Sequence, residues 1–293
     1  MDLCNPSVIK FLMTEAKIAF RKEYGQNFLI NRAIPERIAD ECADTEDRLI
    51  LEIGPGIGCL TQELAQRYAR VIAVEIDKGL LPILDKTLAP YPNASVINAD
   101  VLELDLVKLV ASEANGMPIS VAANLPYYIT TPILMRLLES KIPFDSITVM
   151  VQKEVAERLT AAPGSKAYGA ITAVLDYYGK ARRLFTVPAG CFLPAPKVDS
   201  AVVRIDLYGQ KPFCPRDEAL FFRILHGAFE QRRKTLVNAV SAKLGIGKAS
   251  VARAVLSLGH SETVRGERLS CADFVRLSDA LYAEIQKRTE VPS

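Results

Sequence analysis

The chain has 293 residues, 49% of them hydrophobic, and a formal net charge of +2. This length and composition predict a soluble globular protein with one large domain and one smaller domain. The apolar runs are short, as at residues 71–74, and fall well below the roughly 20 residues needed to cross a bilayer. Six scattered cysteines and two histidines exclude a dense disulfide framework and leave little material for a zinc site or a histidine triad. We therefore expect a cytosolic protein that binds no metal.

The first predicted element is an amphipathic helix within residues 1–19, where charged side chains are interspersed among apolar ones at helical spacing. This mixture is not that of a signal peptide. A second helix is expected to be capped at or next to Asn31 and to carry Pro35 in its first turn.

Short β-branched runs then alternate with helical stretches, which predicts an α/β fold with a parallel sheet and helices on both faces. The strands are expected at residues 49–53, 71–76, 94–98, 119–123 and 146–151, and the helices at 61–68, 79–88, 106–111 and 132–140. After a helix near 171–178, alternating runs at 181–187 and 200–207 are suited to complete one edge antiparallel.

A glycine-rich loop, Gly54-Pro55-Gly56-Ile57-Gly58, follows the first of these strands. Glycines here allow a sharp turn and a close approach of backbone to a ligand. A dinucleotide fingerprint would need its third glycine at position 59, which is Cys59, so the spacing favours a sulfonium cofactor over a pyrophosphate. A purely structural turn is the alternative.

Two acidic residues stand at the ends of the next strands. Glu75 is placed to accept hydrogen bonds from a ribose diol, and Asp100 to accept one from the exocyclic amine of a cofactor adenine. Each alone is compatible with a solvated strand end. Together with Gly54 and Gly56, they predict a nucleoside-type cofactor at this edge of the sheet.

The segment Asn124-Leu125-Pro126-Tyr127 follows the fourth strand, at the same sheet edge. If the Asn124 side-chain oxygen and the Leu125 carbonyl each accept one hydrogen of an adenine N6, its lone pair is directed at a methyl donor. Pro126 rigidifies the loop, and Tyr127 offers a face on which a flipped base stacks. Water takes the released proton, so no strong base is needed. An ordinary turn is the alternative.

Composition changes at residues 208–215, and helical periodicity dominates beyond this linker. We therefore expect domains at 1–208 and 209–293, the second all-helical, with helices at 218–229, 233–242, 248–258 and 271–287. The first part carries 22 basic and 25 acidic residues and the second 14 and 9, so the tail is the basic part. Solvated surface would also explain this modest excess.

Five segments together resemble the ribosomal RNA adenine dimethyltransferases, most closely the bacterial small-subunit group: residues 26–29 (QNFL), 52–56 (EIGPG), 124–128 (NLPYY), 152–154 (QKE) and 192–200 (FLPAPKVDS). The resemblance extends from about residue 26 to 238. It implies a Rossmann-like class I S-adenosylmethionine-dependent methyltransferase sheet with a smaller C-terminal helical domain. The implied activity is dimethylation of two adjacent adenines in the 3′-terminal hairpin of 16S rRNA, within the immature small ribosomal subunit.

The resemblance also implies roles for individual residues. Cofactor contacts are implied for Asn27, Leu29, Gly54, Glu75, Asp100 and Asn124. Phe192 is implied to meet the target base opposite Tyr127, although a core position would suit it equally. The basic cluster Arg232, Arg233 and Lys234 is implied to contact RNA phosphates, with a cleft between the domains as the binding surface. A monomer is typical of the family.

Two alternatives stay open. The large-subunit (23S rRNA) adenine methyltransferases that confer macrolide resistance share this layout, but commonly carry Ile where this chain has Leu125. A ribosome assembly factor that has lost catalysis is the second, and the intact Glu75, Asp100 and Asn124 argue against it.

Overall fold

The structure is a computed structural model that describes residues 1–19, 21 and 26–289, without the side chains of residues 287–289. The chain forms two compact units. The first comprises Met1–Ala156 and Lys180–Gly209, and the second comprises Glu157–Gly179 and the chain from Gln210 onward. Internal contacts therefore assign residues 157–179 to the second unit, while the division into functional domains after residue 208 stays a prediction.

Helices and strands alternate through the first unit. Its helices are α1 (Pro6–Glu15), α2 (Ala33–Cys42), α3 (Cys59–Arg67), α4 (Leu81–Leu88), α5 (Leu106–Glu113) and α6 (Thr130–Glu139), followed by α7 (Lys153–Leu159), which continues into the second unit. Its strands are β1 (Phe28–Leu29), β2 (Leu49–Ile53), β3 (Arg70–Glu75), β4 (Ala94–Asn98), β5 (Ile119–Asn124), β6 (Phe144–Gln152), β7 (Gly179–Val187), β8 (Phe192–Leu193) and β9 (Ser200–Leu207).

In the described part of the chain, seven strands form one sheet in the order β4-β3-β2-β5-β6-β9-β7. The pairs from β4 to β6 are parallel, and β9 joins β6 antiparallel. All five residues of β2 are buried, as expected for a central parallel strand covered on both faces. The strand order reverses between β2 and β5, which is where open α/β sheets bind ligands.

Helices cover this sheet through two apolar clusters. One contains Ile38 of α2 and Leu64 of α3, packed with Ile50 of β2. The other contains Leu12 of α1 and Leu84 of α4, so the N-terminal helix is part of the folded unit. The predicted amphipathic helix is thereby confirmed, and Asn5 begins it by accepting a hydrogen bond from the Ser7 amide.

The predicted α/β architecture is confirmed, and most elements lie within two residues of their predicted bounds. β1 and β8 were not predicted. They pair antiparallel as a separate ribbon, with Leu29 opposite Phe192, and at two residues each they are too short for alternation to reveal them. The predicted start of the second tail helix at residue 233 is also wrong, because Thr235 caps that helix by accepting from the Asn238 amide.

The second unit is helical apart from its connecting turns in the described residues. Beyond the end of α7 it contains α8 (Ala170–Tyr178), α9 (Glu218–Glu230), α10 (Leu236–Leu244), α11 (Lys248–Ser257) and α12 (Cys271–Thr289). Phe229 packs against two fully buried rings, with its ring centroid 5.9 Å from those of Tyr168 and Phe274. Tyr168 comes from the 157–179 segment, which explains why that segment belongs to this unit.

Candidate active site

Two loops leave the sheet side by side at the reversal of strand order. Ile53 pairs with Val74 on one side and Ala123 on the other. The Gly54 amide donates to the Val74 carbonyl at 3.0 Å. A Cβ on Gly54 would lie 3.9 Å from the Asn124 carbonyl oxygen. The glycine loop and the Asn124 segment are therefore direct neighbours, as their positions after parallel strands predicted.

Glycine is required in this loop for two reasons. Gly54 and Gly56 have φ values of 71° and 61°, in the left-handed region that side chains disfavour. A Cβ on Gly56 would also lie 3.1 Å from Cε1 of Phe28. Any larger residue would strain the backbone and press on the aromatic ring of β1.

Glu75 joins the end of β3 to the glycine loop. Its Oε2 accepts from the Gly56 amide at 3.2 Å and its Oε1 from the Asp77 amide at 2.8 Å. The side chain is 5% exposed, and burial raises its pKa while the backbone donors oppose that rise. A carboxylate offers about four acceptor positions, so Glu75 can still accept a hydrogen bond from a ribose.

Asp100 and Asp77 complete the acidic side of the site. Asp100 Oδ1 accepts from the Leu102 amide at 2.8 Å, which holds the carboxylate at the end of β4. Asp77 is 1% exposed, and it accepts from Gln26 Nε2 at 2.8 Å and pairs with Arg21 at 3.2 Å. Sequence reasoning assigned no role to Asp77, although a second acid two residues after Glu75 was a visible signal. Asp77 anchors the segment that precedes β1.

The Asn124 side chain is oriented by the backbone of that same segment. Asn124 Nδ2 donates to the Asn27 carbonyl at 3.4 Å, which leaves the side-chain oxygen as an acceptor. Thr130 Oγ1 donates to the Pro126 carbonyl at 3.1 Å and fixes the turn into α6. Leu125 is only 1% exposed, so the turn is anchored in the core.

Tyr127 is half-buried at the same turn. Its hydroxyl lies 2.7 Å from Ser200 Oγ at the start of β9. Burial raises the pKa of Tyr127, and the hydrogen bond with Ser200 opposes this rise. The ring is therefore held by its hydroxyl end while the rest of it faces the cavity described next.

One cavity of about 1040 Å³, open to solvent, collects these groups. All the residues predicted to bind a cofactor or to act in catalysis line it: Asn27, Leu29, Gly54, Gly56, Glu75, Asp100, Asn124, Leu125, Pro126 and Tyr127. Its lining is mixed, since apolar groups such as Ile53 and Leu80 accompany the polar ones. An apolar pocket with a few convergent polar groups is typical of a nucleoside-sized ligand site.

Glu52 also lines this cavity, and the sequence motif that contains it predicted no role for it. It is 1% exposed in β2, and burial raises its pKa to about 8. No hydrogen-bond partner for its Oε2 atom is found among the described residues. An acid in an otherwise apolar central strand was the signal for it, because such a group is costly to bury.

Phe192 lies elsewhere. It is 3% exposed and belongs to the apolar cluster that contains Leu29 and Ile38, and it is not among the residues that line the cavity. Its pairing with Leu29 in the β1–β8 ribbon directs it into the core. A contact between Phe192 and a target base stays a prediction, and it would require the ribbon to move.

The basic cluster belongs to the second unit, in the turn between α9 and α10. Arg232 Nη2 donates to the Tyr168 carbonyl at 2.9 Å and lies 3.6 Å from Glu267. Arg233 and Lys234 are exposed. The structure thus gives Arg232 a role in holding residues 166–168, while its predicted contact with RNA stays a prediction.

The described residues contain no group of three or more His, Cys, Asp or Glu side chains placed to hold a metal ion. Nor do they include a helix long and apolar enough to span a membrane.

The sheet order, the glycine loop after the first long strand and the acids after the next two strands define a Rossmann-like class I S-adenosylmethionine-dependent methyltransferase. The chain belongs to the ribosomal RNA adenine dimethylase family, whose sequence profile matches residues 17–281. The family predicted from the five motifs is confirmed.

Individual relatives agree with this assignment. The chain is 45% identical over 273 residues to ribosomal RNA small subunit methyltransferase A of Lachnoclostridium phytofermentans, covering 92% of this chain and 94% of the relative. A crystal structure of a dimethyladenosine transferase from Plasmodium falciparum superposes with a TM-score of 0.73 at 25% identity, covering 89% and 98% of the two chains. The 23S rRNA methyltransferase ErmE superposes with a TM-score of 0.68 at 27% identity, covering 87% and 100%.

Proposed function

We propose that this enzyme transfers methyl groups from S-adenosylmethionine to N6 of two adjacent adenines in the 3′-terminal hairpin of 16S rRNA. The observation that carries the proposal is the single cavity in which the glycine loop, Glu75, Asp100 and the Asn124–Tyr127 segment meet. Curated relatives named small subunit methyltransferase A support the choice of RNA.

The residues of the cavity fit the proposed cofactor. Glu75 can still accept a hydrogen bond from a ribose hydroxyl after its bonds to backbone amides. Asp100 presents a carboxylate for the exocyclic amine of the cofactor's adenine, and Gly54 and Gly56 leave room for close approach of the methionine portion. When bound, S-adenosylmethionine supplies a methyl group on a positively charged sulfur. Asn27 and Leu29 would cover it from the segment held by Asp77.

Asn124 and Leu125 would orient the target amine. The adenine N6 is a poor nucleophile because its lone pair is delocalised into the ring. The Asn124 side-chain oxygen and the Leu125 carbonyl each accept one N6 hydrogen, which makes the nitrogen more tetrahedral and aims its lone pair at the methyl carbon. Water takes the proton released from the cationic product, and Tyr127 stacks on the flipped base.

Recognition of the RNA would use the second unit. Arg233 and Lys234 are exposed cations suited to phosphates, and structured RNA is read mainly by shape and unstacked bases. We place the enzyme, as a monomer in the cytoplasm, on the immature small ribosomal subunit. There, occupancy by the methyltransferase would also serve as an assembly checkpoint.

Side-by-side methylation of two substrates tests this proposal. Small-subunit particles lacking these methyl groups and 23S rRNA are incubated with the enzyme and labelled S-adenosylmethionine, and modified adenines are mapped by mass spectrometry. We expect N6,N6-dimethyladenosine at two adjacent positions of the 3′-terminal hairpin. Label confined to 23S rRNA would instead establish the activity named for ErmE, and absence of label from both would leave only a role in assembly.

A further inference from the structure

Two cysteines lie in contact behind the glycine loop. The Sγ atoms of Cys4 and Cys59 are 3.0 Å apart, although the residues are 55 positions apart in the chain. Cys4 belongs to the segment before α1, and Cys59 is the first residue of α3, directly after Gly58. A disulfide requires about 2.05 Å between its sulfur atoms, so an approach of about 1 Å would join them.

The thiol pair lies beside two cavities. Cys59 lines the cavity of the proposed active site, and both cysteines line a second cavity of about 620 Å³ that opens to solvent. Polar side chains, including Asp2, Arg32 and Glu63, line this second cavity, so small polar oxidants can enter it. The sulfur atoms are thus close together and adjacent to the active site, and the second cavity is their route to solvent, since Cys4 is buried and Cys59 is only partly exposed.

We propose that Cys4 and Cys59 form a redox modification site, in which peroxide converts the two thiols to a disulfide that weakens cofactor binding. One thiolate attacks a peroxide oxygen, giving a sulfenic acid and hydroxide. The second thiol then attacks the sulfenic sulfur, and the new S–S bond forms as water leaves. Two thiols and one hydrogen peroxide thereby become one disulfide and two waters, and a dithiol reductant reverses the change.

Oxidation acts on binding because of where Cys59 lies. Drawing its sulfur toward Cys4 displaces the first turn of α3 and, through Gly58, the loop that contains Gly54 and Gly56. The hydrogen bond with Cys4 and burial raise the pKa of Cys59 well above its usual value, and Glu52 and Glu63 add to this. Only a small fraction of Cys59 is therefore thiolate at neutral pH, so the reaction runs slowly through that fraction and needs peroxide in excess.

The remaining cysteines provide internal contrasts. Cys42 is fully buried, and burial raises its pKa to about 12, so it is expected to be inert. Cys214 is exposed in the second unit, far along the chain from the pair. Selective linkage of Cys4 to Cys59 would therefore reflect their contact and not general reactivity.

The test treats the purified wild-type protein and two variants, Cys4→Ser and Cys214→Ser, with hydrogen peroxide. Peptide mapping without reduction should find Cys4 linked to Cys59 in the wild type and in Cys214→Ser. Calorimetry with S-adenosylhomocysteine should show about tenfold weaker binding after oxidation of these two proteins, restored by dithiothreitol. Cys4→Ser should bind equally well before and after peroxide.

Two results would overturn the inference. The modification site would be refuted if Cys4 and Cys59 were unlinked and still open to alkylation after other cysteines had reacted. Linkage with unchanged affinity would refute the effect on the cofactor. The affinity measurement rests on the proposed function, so the reduced wild-type protein is its reference. No binding of S-adenosylhomocysteine before oxidation would count against the proposed function. The linked peptide tests the modification site independently of that function.

Discussion

The Asn124–Tyr127 loop and the turn at residues 231–234 are both polar segments that the sequence marked as functional, yet they differ in how their side chains are used. In the loop, backbone contacts orient Asn124 and anchor Leu125, so polar atoms converge on one cavity. In the turn, Arg232 donates to the Tyr168 carbonyl, and all three cations, Arg232, Arg233 and Lys234, are exposed. Chemistry needs fixed geometry, whereas phosphate binding needs accessible charge.

The largest effect is expected from Asn124→Ala. Loss of the oxygen that orients the target amine should lower kcat/KM by about 10²- to 10³-fold, the usual result of removing one preorganised hydrogen-bonding group. RNA affinity should stay unchanged, because this loop acts in chemistry and the basic turn in binding. Asn31→Ala, at a residue outside the cavity lining, is the matched control and should keep full activity. Retained transfer by the Asn124 variant would refute the mechanism.

Glu75→Gln should weaken S-adenosylhomocysteine binding by about tenfold, because an amide offers fewer acceptor positions and leaves one backbone donor unpaired. Glu36→Gln, which alters a partly exposed acid on α2 that pairs with Arg32, should leave the affinity as it is. Calorimetry of the two variants measures the difference. Equal affinities would show that Glu75 supports the glycine loop without contacting the cofactor.

Substitutions in the basic turn should change the salt dependence of RNA binding. Replacing Arg233 and Lys234 together by Ala should weaken RNA binding by about fivefold per side chain and flatten the slope of log K against log salt by about one per cation. Arg232→Ala should instead lower the Tm by a few degrees, because the Tyr168 carbonyl loses its donor, with a smaller change in slope. The reverse pattern would mean that Arg232 leaves residues 166–168 to bind phosphate.

The last effect concerns pH, and it should appear in the site and not in the turn. The pKa of Glu52 is about 8 in the folded protein, against an ordinary value of 4.5 in the unfolded chain. Between these two pH values the folded protein keeps Glu52 protonated, whereas the unfolded chain has lost that proton. Glu52 therefore costs stability increasingly as pH rises from about 4.5 to 8. The Tm advantage of Glu52→Gln over the wild type should grow over this range by a few degrees. A constant difference would mean that Glu52 is ionised throughout.

Much of the fold and the site followed from the sequence because parallel strands end at a common edge. The run 94–98 and the run 200–207 became β4 and β9 with the predicted bounds, and Glu75, Asp100 and Asn124 followed from their strand ends. Polar residues that directly follow apolar runs in the sequence were sufficient to predict these positions.

The rest depended on contacts between distant residues. Phe192 is buried because it pairs with Leu29, and a two-residue ribbon has no period to detect. Arg232 meets a carbonyl 64 positions earlier, and Cys4 meets Cys59 across 55 positions. Residues 157–179 join the second unit through the packing of Tyr168 on Phe229. These contacts form only in the packed structure, so they leave no local pattern in the sequence.

The most direct test of the central claim is a structure of the enzyme bound to a non-reactive analogue of S-adenosylmethionine and the 16S hairpin. We predict that the N6 atom of one flipped adenine lies about 3 Å from both the Asn124 side-chain oxygen and the Leu125 carbonyl, opposite the cofactor sulfur. An adenine whose N6 points away from both oxygens, or a cavity without a base, would contradict the account.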